Sequence, residues 1–215
     1  MKMNALGPVT VLKTEFFNRD PRRVARALLG KVLIRETPGG IRAGRIVETE
    51  AYLGKGDAAA HAAAGRTARN AVLFGPPGHA YVYFIYGSHY CLNVSCLPDG
   101  VPGGVLFRAL EPVAGIEQMA KARGIKLAKK SDLKSISFLK KIASGPGRMS
   151  EAFEITRERD NGKSLVSARS DLRIADDGYR VRRIMVTARI GIVKSAERPL
   201  RYVIAGSPFV SGRRF

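Results

Sequence analysis

A chain of 215 residues with 45% apolar side chains is long enough and apolar enough to fold around a core, which excludes an intrinsically disordered protein. Its longest apolar run is about seven residues, against the ~20 of a membrane-spanning helix, and only two cysteines exclude a disulfide framework. The 37 Lys and Arg against 18 Asp and Glu give a net charge of +19, which favours a polyanionic partner such as DNA, RNA or an anionic membrane surface.

The first predicted element is a helix that begins at Pro21 and ends before Gly30. Asp20 is a typical N-cap residue, proline suits the first helical turn, and glycine suits the stop. The predicted apolar face consists of Val24, Ala27 and Leu28.

Strand-like runs dominate the next third of the chain and return near its end. They cover residues 31–35, 41–53, 80–86, 90–95 and 105–110, and later the surroundings of 172, 184–188 and 202–205. Pro112 is predicted to begin a helix that closes near Gly124, and a short helix with apolar residues at 136, 139 and 142 precedes the break at 144–147. Helices and strands do not alternate regularly. We therefore predict one α+β domain over residues 1–215.

The strand RIVETEAYL (45–53) carries two carboxylates in an apolar context. With a period of two, Val47, Thr49, Ala51 and Leu53 share one face, whereas Ile46, Glu48, Glu50 and Tyr52 share the other. Buried carboxylates are costly unless they are paired or open to a cleft. A salt-bridged edge strand and a functional site both remain open at this point.

Two cationic or titratable side chains stand out elsewhere. Arg108 lies in the apolar strand that leads to Pro112, and such an arginine usually pairs with a carboxylate or a phosphate. His61 follows a run of alanines after Asp57, which we interpret as a capped helical turn. With three histidines and two cysteines in the chain and no metal-ligand spacing, we predict no metal site.

Four of the seven tyrosines fall within residues 80–93, AYVYFIYGSHYCLN. Cross-strand pairing accounts for Tyr81 and Tyr90. It does not account for Tyr86, which precedes Gly87-Ser88 at a predicted hairpin turn where small polar residues are usual. On a strongly cationic protein, an exposed ring at a hairpin tip can wedge between bases and fill the gap left by an extruded base.

Taken together, these residues resemble the alkyladenine (3-methyladenine) DNA glycosylase family, the monofunctional base-excision enzymes of the mammalian alkylpurine type. Seven stretches carry the resemblance in order along nearly the whole chain: RIVETEAYLG (45–54), AAH (59–61), YVYFIYG (81–87), CLNVS (91–95), LFRALEP (106–112), SGP (144–146) and GSPFVS (206–211). The compact length resembles bacterial-type members.

The resemblance implies a single mixed domain with a curved antiparallel sheet, peripheral helices and a protruding β-hairpin that enters the DNA minor groove. It implies Glu50 as general base and Arg108 as the residue that helps to hold the attacking water and the phosphate. The implied base pocket consists of Tyr52, His61, Tyr83 and Asn93, the last excluding guanine's 2-amino group. Tyr86 is the implied intercalating wedge.

The implied reaction is hydrolysis of the N-glycosidic bond of damaged purines in double-stranded DNA. No amine lies in the matching motifs, so we expect neither a Schiff base nor strand cleavage, and no metal or cofactor. We expect a monomer with no membrane association, in the cytoplasm of a bacterium and associated with its nucleoid.

Two departures and two alternatives remain. The segment 61–70 is shorter than in the mammalian enzymes, and Ser88-His89 replace larger side chains after the wedge, which leaves the substrate range open. One alternative is a non-catalytic nucleic-acid binder with stacking tyrosines, in which Glu50 is structural. The other is an enzyme on sugars or nucleosides that uses Glu48 and Glu50 together, although the net charge argues against a neutral sugar. Whether the basic stretch 121–148 contacts DNA is also open.

Overall fold

The structure is a computed structural model that describes residues 7–85 and 87–212. Its strands are β1 (Thr10–Val11), β2 (Val32–Thr37), β3 (Gly40–Tyr52), β4 (Ala80–Ile85), β5 (His89–Ser95), β6 (Gly104–Ala114), β7 (Leu172–Asp176), β8 (Ile184–Thr187) and β9 (Arg201–Ile204). Its helices are α1 (Thr14–Phe17), α2 (Pro21–Leu28), α3 (Ile116–Ala122), α4 (Ile136–Ala143), α5 (Pro146–Ala152) and α6 (Arg157–Asp160), with 3₁₀ helices at Ala71–Phe74 and Lys130–Lys134.

The strands of the described residues form one antiparallel sheet in the order β1-β7-β2-β3-β6-β5-β4, and β9 joins β3 and carries β8. The helices lie around this sheet. The predicted α+β class, with a curved antiparallel sheet and peripheral helices, is confirmed. Within the same described ranges, every helix is too short or too polar to cross a bilayer.

The long strand β3 is the centre of the sheet. Strand β6 pairs with it from Ala43 to Tyr52, while β2 and β9 pair with successive parts of its other edge. Register shifts against β6 surround Glu48, as expected of a β-bulge that bends the strand. The interpretation of this segment as an edge strand is therefore wrong.

Helix α2 covers the face of β3 that carries Thr49. The Thr49 hydroxyl donates to the Ala25 carbonyl at 2.9 Å, and Val47 and Ala51 join the same buried core. Ile46, predicted on the carboxylate face, also packs into this core, because the bulge interrupts the alternation between residues 46 and 49. Glu48, Glu50 and Tyr52 keep the opposite face.

Helix α2 begins as predicted. The Asp20 carboxylate accepts a hydrogen bond from the Arg22 amide at 2.8 Å, and Pro21 occupies the first turn. Its buried face contains Ala25 and not the predicted Ala27, which is only half-buried.

The predicted strands near residues 172, 184–188 and 202–205 are present as β7, β8 and β9.

The prediction that Pro112 begins a helix is wrong. Strand β6 continues to Ala114, and α3 begins only at Ile116, after Gly115 turns the chain with a φ of 69°. Proline fits this strand because it pairs with Gly44 beside a register shift, and β5 reaches along β6 only as far as Leu106. The predicted break at 144–147 likewise contains the beginning of α5.

Strands β4 and β5 form the predicted hairpin. Only its base is supported by the sheet, because β6 pairs with β5 from Asn93 to Ser95 and no farther. Beyond that point Phe84 faces Tyr90, with ring centroids 5.0 Å apart. Tyr90 thus takes part in a cross-strand pair as predicted, whereas Tyr81 lies opposite Asn93 and contacts other rings.

Candidate active site

A cavity of about 640 Å³ lies beside β3, β4, β5 and β6 and the loops that follow β3 and β8. This volume falls in the range of small-molecule sites. Five of the residues predicted from the sequence line it: Tyr52, His61, Tyr83, Asn93 and Arg108. Tyr81 and Ile85 line it too, so Tyr81, Tyr83 and Ile85 share one face of β4.

Glu50 lies directly behind the wall of this cavity. Its fully buried carboxylate accepts hydrogen bonds from the Ile190 amide at 2.8 Å and from the Tyr52 hydroxyl at 3.0 Å. The Arg108 Nη1 lies 3.2 Å from Glu50 Oε1. All three partners belong to residues that line the cavity, so the Glu50 carboxylate contacts the cavity wall.

The pKa of Glu50 lies above its ordinary value. Burial raises it, and this effect exceeds the opposing effects of the Arg108 charge and of the hydrogen bonds from Ile190 and Tyr52. Arg108 lies beside Glu50, but its charge does not return the pKa of Glu50 to the ordinary value. A carboxylate with a raised pKa is a better proton acceptor near neutral pH than an exposed one.

Glu48 has a different environment, although it shares the face of β3. Its carboxylate accepts from Arg108 Nε at 2.9 Å, from Arg201 Nε at 2.7 Å, and from both the amide and the hydroxyl of Ser211 at 2.6 and 3.0 Å. Two buried guanidinium groups and a backbone amide occupy this carboxylate. Its geometry is that of a structural ion-pair network that orients Arg108.

The aromatic side chains of the cavity form a cluster around His61. The His61 ring lies 4.4 Å from that of Tyr83 in an edge arrangement, and its Nδ1 lies 2.9 Å from the Tyr81 hydroxyl. A planar base between two rings needs a gap of roughly 7 Å, so none fits between His61 and Tyr83. These two rings therefore lie on the same wall of the cavity, and the opposite wall of a stacking site would have to be the Tyr52 ring.

His61 itself lies in a series of turns, not in the helical turn predicted after Asp57. Asn70 fixes this segment by donating to the carbonyls of His61 and Gly65, each at 2.9 Å. Burial and the charge of Arg69 lower the pKa of His61, which favours the neutral ring. In residues 7–85 and 87–212, no three His, Cys, Asp or Glu side chains gather as a metal site would require.

Asn93 presents a polar group to the cavity. It is buried on β5, and its Nδ2 donates to the Tyr81 carbonyl at 3.3 Å. This bond fixes the amide plane, which leaves its other polar positions to meet a ligand.

Two predicted features fall near the tip of the hairpin. Tyr86, the predicted wedge, lies outside the described residues; β4 ends at Ile85 and the description resumes at Gly87, which has a φ of 64°. His89, one of the departures from the mammalian pattern, lines the cavity with its Nδ1 2.7 Å from Glu151 Oε1 on α5.

Comparison with known proteins agrees with this geometry. A family model described as Methylpurine-DNA glycosylase (MPG) matches residues 15–208. The chain belongs to the methylpurine-DNA glycosylase family. Membership confirms the resemblance found in the sequence and makes the protein a DNA glycosylase, a hydrolase of DNA repair whose substrate is DNA.

Curated members of the methylpurine-DNA glycosylase family are similar along their whole length. A protein of Koribacter versatilis named "Putative 3-methyladenine DNA glycosylase" is 62% identical over 215 residues, all of both chains. Proteins of the same name from Methanocella arvoryzae and Burkholderia cenocepacia are 47% and 43% identical, over 94% and 98% of this chain and 96% of each relative.

Sequence reasoning missed the loop after β8 as part of the lining of this cavity. Ile190, Gly191 and Ile192 line the cavity, and Arg189 lies buried behind them in an ion pair with Asp57. The signal that pointed to Arg108, an arginine in an apolar run, is also present in ARIGIV (188–193). The backbone amide of Ile190, in contrast, has no signature in the sequence.

Proposed function

We propose that the protein is a monofunctional DNA glycosylase that rotates a damaged purine out of the duplex into the cavity and hydrolyses its N-glycosidic bond. The observation that carries this proposal is the buried Glu50 carboxylate, with its raised pKa, directly behind a cavity that Tyr52, His61 and Tyr83 line. The proposed substrates are purines of the 3-methyladenine, hypoxanthine and 1,N6-ethenoadenine type. The names of the curated relatives support the first of these.

Binding in this scheme depends on stacking. A base inside a duplex cannot reach a carboxylate, so it is extruded, and Tyr86 fills the gap it leaves. In the cavity the base stacks between Tyr52 and the wall formed by His61 and Tyr83, a contact of about 1–3 kcal/mol that tolerates different bases. A cationic alkylated purine gains further attraction from the electron-rich rings.

The proposed chemical step is the attack of water on C1′ of the extruded nucleotide. Glu50 takes a proton from the water, the water oxygen bonds to C1′, and the C1′–N bond breaks with its electron pair leaving on the purine. The products are the free base and an abasic site. The Glu50 charge also favours the oxocarbenium-like sugar of the transition state, as carboxylates do in glycoside hydrolysis.

Two further roles follow from position. Arg108 touches both glutamates and the cavity, so its guanidinium is well placed to orient the water and the phosphate of the nucleotide. Asn93 lines the cavity, where its amide would meet the 2-amino group of guanine. We propose that this contact excludes guanine.

We also propose that no strand cleavage accompanies excision. Lyase chemistry needs an amine that forms a Schiff base with C1′. Among residues 7–85 and 87–212, the side chains that line the cavity include arginine and histidine but no lysine. Water is then the nucleophile, and the enzyme is an N-glycosyl hydrolase only.

The test is incubation of the protein with duplexes that carry hypoxanthine, 1,N6-ethenoadenine or 3-methyladenine, with and without subsequent hot alkali. The proposal predicts strand breaks at the lesion only after alkali, which cleaves abasic sites. Breaks without alkali contradict the monofunctional assignment. Folded protein that produces breaks with none of the three lesions contradicts the proposed function.

A non-catalytic nucleic-acid binder is separated from the enzyme by two variants. For a binder, Glu50→Gln and Tyr86→Ala weaken binding alike. For the enzyme, Glu50→Gln still binds lesion DNA without excising the base. An enzyme that uses Glu48 and Glu50 together is disfavoured by the four hydrogen bonds that already occupy Glu48.

A further inference from the structure

A buried ion pair that the proposed mechanism does not use lies behind the cavity. Arg189 Nη1 and Nη2 donate to the two carboxylate oxygens of Asp57, each at 2.7 Å, and both side chains are fully buried. Although burial opposes it, the Arg189 guanidinium holds the pKa of Asp57 below its usual range. The pair joins the loop after β3 to the loop after β8.

The same guanidinium touches three further parts of the site. Arg189 donates to the carbonyl of Ala51 on β3 at 3.0 Å and to that of Ser195 at 3.3 Å. Its Cζ also lies over the Tyr52 ring, 4.6 Å from the centroid. One face of Tyr52 is therefore held by a fixed cation, and the ring cannot tilt away from the cavity without breaking that contact.

The residue after Arg189 supplies a hydrogen bond to the proposed general base. The Ile190 amide donates to Glu50 Oε1 at 2.8 Å, and this bond lowers the pKa of Glu50 against the larger effect of burial. Among the described residues, the other charged or titratable groups near Glu50 are Arg108 from β6, Tyr52 and Glu48 from β3, Cys91 from β5 and Arg189 itself. Of the groups that contact the Glu50 oxygens, the amide of Ile190 is the one that a loop positions.

We propose that Asp57 and Arg189 are positioning residues for base excision: their ion pair holds the Tyr52 ring against the base and the Ile190 amide against Glu50. This inference rests on the proposed function of Glu50. Neither residue touches the substrate. Asp57 acts through Arg189, and Arg189 acts through Tyr52 and through the backbone of Ile190.

The test uses the full chain with Asp57→Asn and a hypoxanthine duplex. We measure the single-turnover excision rate as a function of pH, together with the dissociation constant for the duplex. The expected result is a rate about tenfold to a hundredfold lower at neutral pH, because a displaced base or carboxylate lies outside the reactive geometry. The acid limb of the profile moves to higher pH, because Glu50 loses a fixed donor.

A matched control separates positioning from general stability. Arg35 and Asp160 form another fully buried ion pair, with Nη2 and Oδ2 2.6 Å apart, on side chains that do not line the cavity. Asp160→Asn is expected to lower the Tm as Asp57→Asn does, while the excision rate and the acid limb stay at their wild-type values well below the Tm. Equal effects of the two variants on rate and profile overturn the proposal.

Arg189→Lys and its counterpart Arg35→Lys give a second comparison that does not depend on the folding of Asp57→Asn. Lysine keeps the charge beside Asp57 but cannot bridge both carboxylate oxygens and stack on Tyr52. We expect the slow rate and shifted limb in Arg189→Lys alone; wild-type kinetics in this variant overturn the proposal. If Glu50→Gln is as active as wild type, the role of Glu50 as general base fails instead. If the wild-type protein excises none of the three lesions, the proposed function itself fails, which is a separate result.

Discussion

The two glutamates of β3 lie two residues apart on one face but bind different partners. Glu48 accepts four hydrogen bonds, from Arg108, Arg201 and both the amide and the hydroxyl of Ser211, whereas Glu50 accepts two and contacts one guanidinium group. Glu50 Oε2 accepts only the Tyr52 hydroxyl among the contacts of the described residues, which leaves it room for a proton from water. Chemistry is assigned to Glu50 on this difference.

The Tyr52 hydroxyl gives a residue-level prediction about pH. Burial raises the pKa of Glu50, and the base must be ionised, so the wild-type rate falls as pH decreases through this raised pKa. Tyr52→Phe keeps a ring for stacking but removes a donor that stabilises the carboxylate. Its acid limb is therefore expected at higher pH than that of wild type, in single-turnover excision of hypoxanthine.

Hypoxanthine suits this measurement because it is a neutral base without the positive charge of an alkylated purine. A wild-type acid limb at or below the ordinary glutamate pKa of about 4.3 contradicts the burial argument. An unshifted limb in Tyr52→Phe contradicts the role of the hydroxyl.

Glu48 is predicted to matter for stability. Glu48→Gln removes the negative charge that Arg108 and Arg201 share in a buried site, and breaking such a pair costs about 3–5 kcal/mol. Urea unfolding at pH 7 measures this loss. Glu36→Gln is the control, since Glu36 is half exposed in its ion pair with Arg173 and the loss there is at most about 1 kcal/mol. Equal midpoints for the two variants contradict the assignment.

At the scale of elements, the hairpin of β4 and β5 carries both the pocket and the predicted wedge. Tyr81 and Asn93 lie at its base, where β6 supports it, Tyr83 follows opposite Cys91, and the chain turns beyond Ile85. Beyond its base the hairpin is held by α5, through His89 and Glu151, and not by β6, so its turn projects past the sheet.

Tyr86→Ala tests the hairpin tip. We expect a lower excision rate and weaker binding of lesion duplex, because an unfilled gap in the stack favours return of the base. The effect should be smaller for a mispaired lesion than for a paired one, since a mispaired base costs less to extrude. Phe84→Ala, an exposed ring on the same hairpin, is the control. A wild-type excision rate for Tyr86→Ala contradicts the proposed role of Tyr86 as the intercalating wedge.

Much of this arrangement could be predicted from local pattern. Alternation placed Glu50 and Tyr52 on one face of β3, and Asp20-Pro21 gave the beginning of α2. The prediction of a helix at Pro112 was wrong because the local sequence is typical of a helix start, whereas pairing with β3 keeps Pro112 in a strand. The bond from Ile190 to Glu50 and the pair of Asp57 with Arg189 were not predictable, since their partners meet only through the tertiary fold.

At the scale of the whole molecule, the sheet has one face in the hydrophobic core and another beside the cavity. Helix α2 covers one face of β3, and the cavity lies on the other. Residues 144–148, which follow α4 and the basic segment in the chain, line the cavity.

The basic segment gives a prediction about DNA affinity. Lys129, Lys130 and Lys134 are exposed, and we predict that they contact phosphates. Changing all three to Glu should weaken binding of undamaged duplex and reduce the dependence of log K on log salt by about 0.9 per lost phosphate contact. Titrations at several salt concentrations measure this slope.

The control makes the same charge change on the covered face of the sheet. Arg22, Arg23 and Arg26 lie on the exposed side of α2. Changing these three to Glu is expected to lower affinity less and to alter the slope less. Equal slopes for the two triple variants would mean that net charge, and not the position of the lysines, governs binding.

The account as a whole rests on the claim that the Glu50 carboxylate activates the water that cleaves the glycosidic bond. The most direct measurement is the single-turnover excision rate of Glu50→Gln, with its dissociation constant for the same lesion duplex. The account predicts near wild-type affinity and a rate at least about a hundredfold lower, the range typical of a lost general base. A Glu50→Gln enzyme that excises the base at the wild-type rate would contradict it.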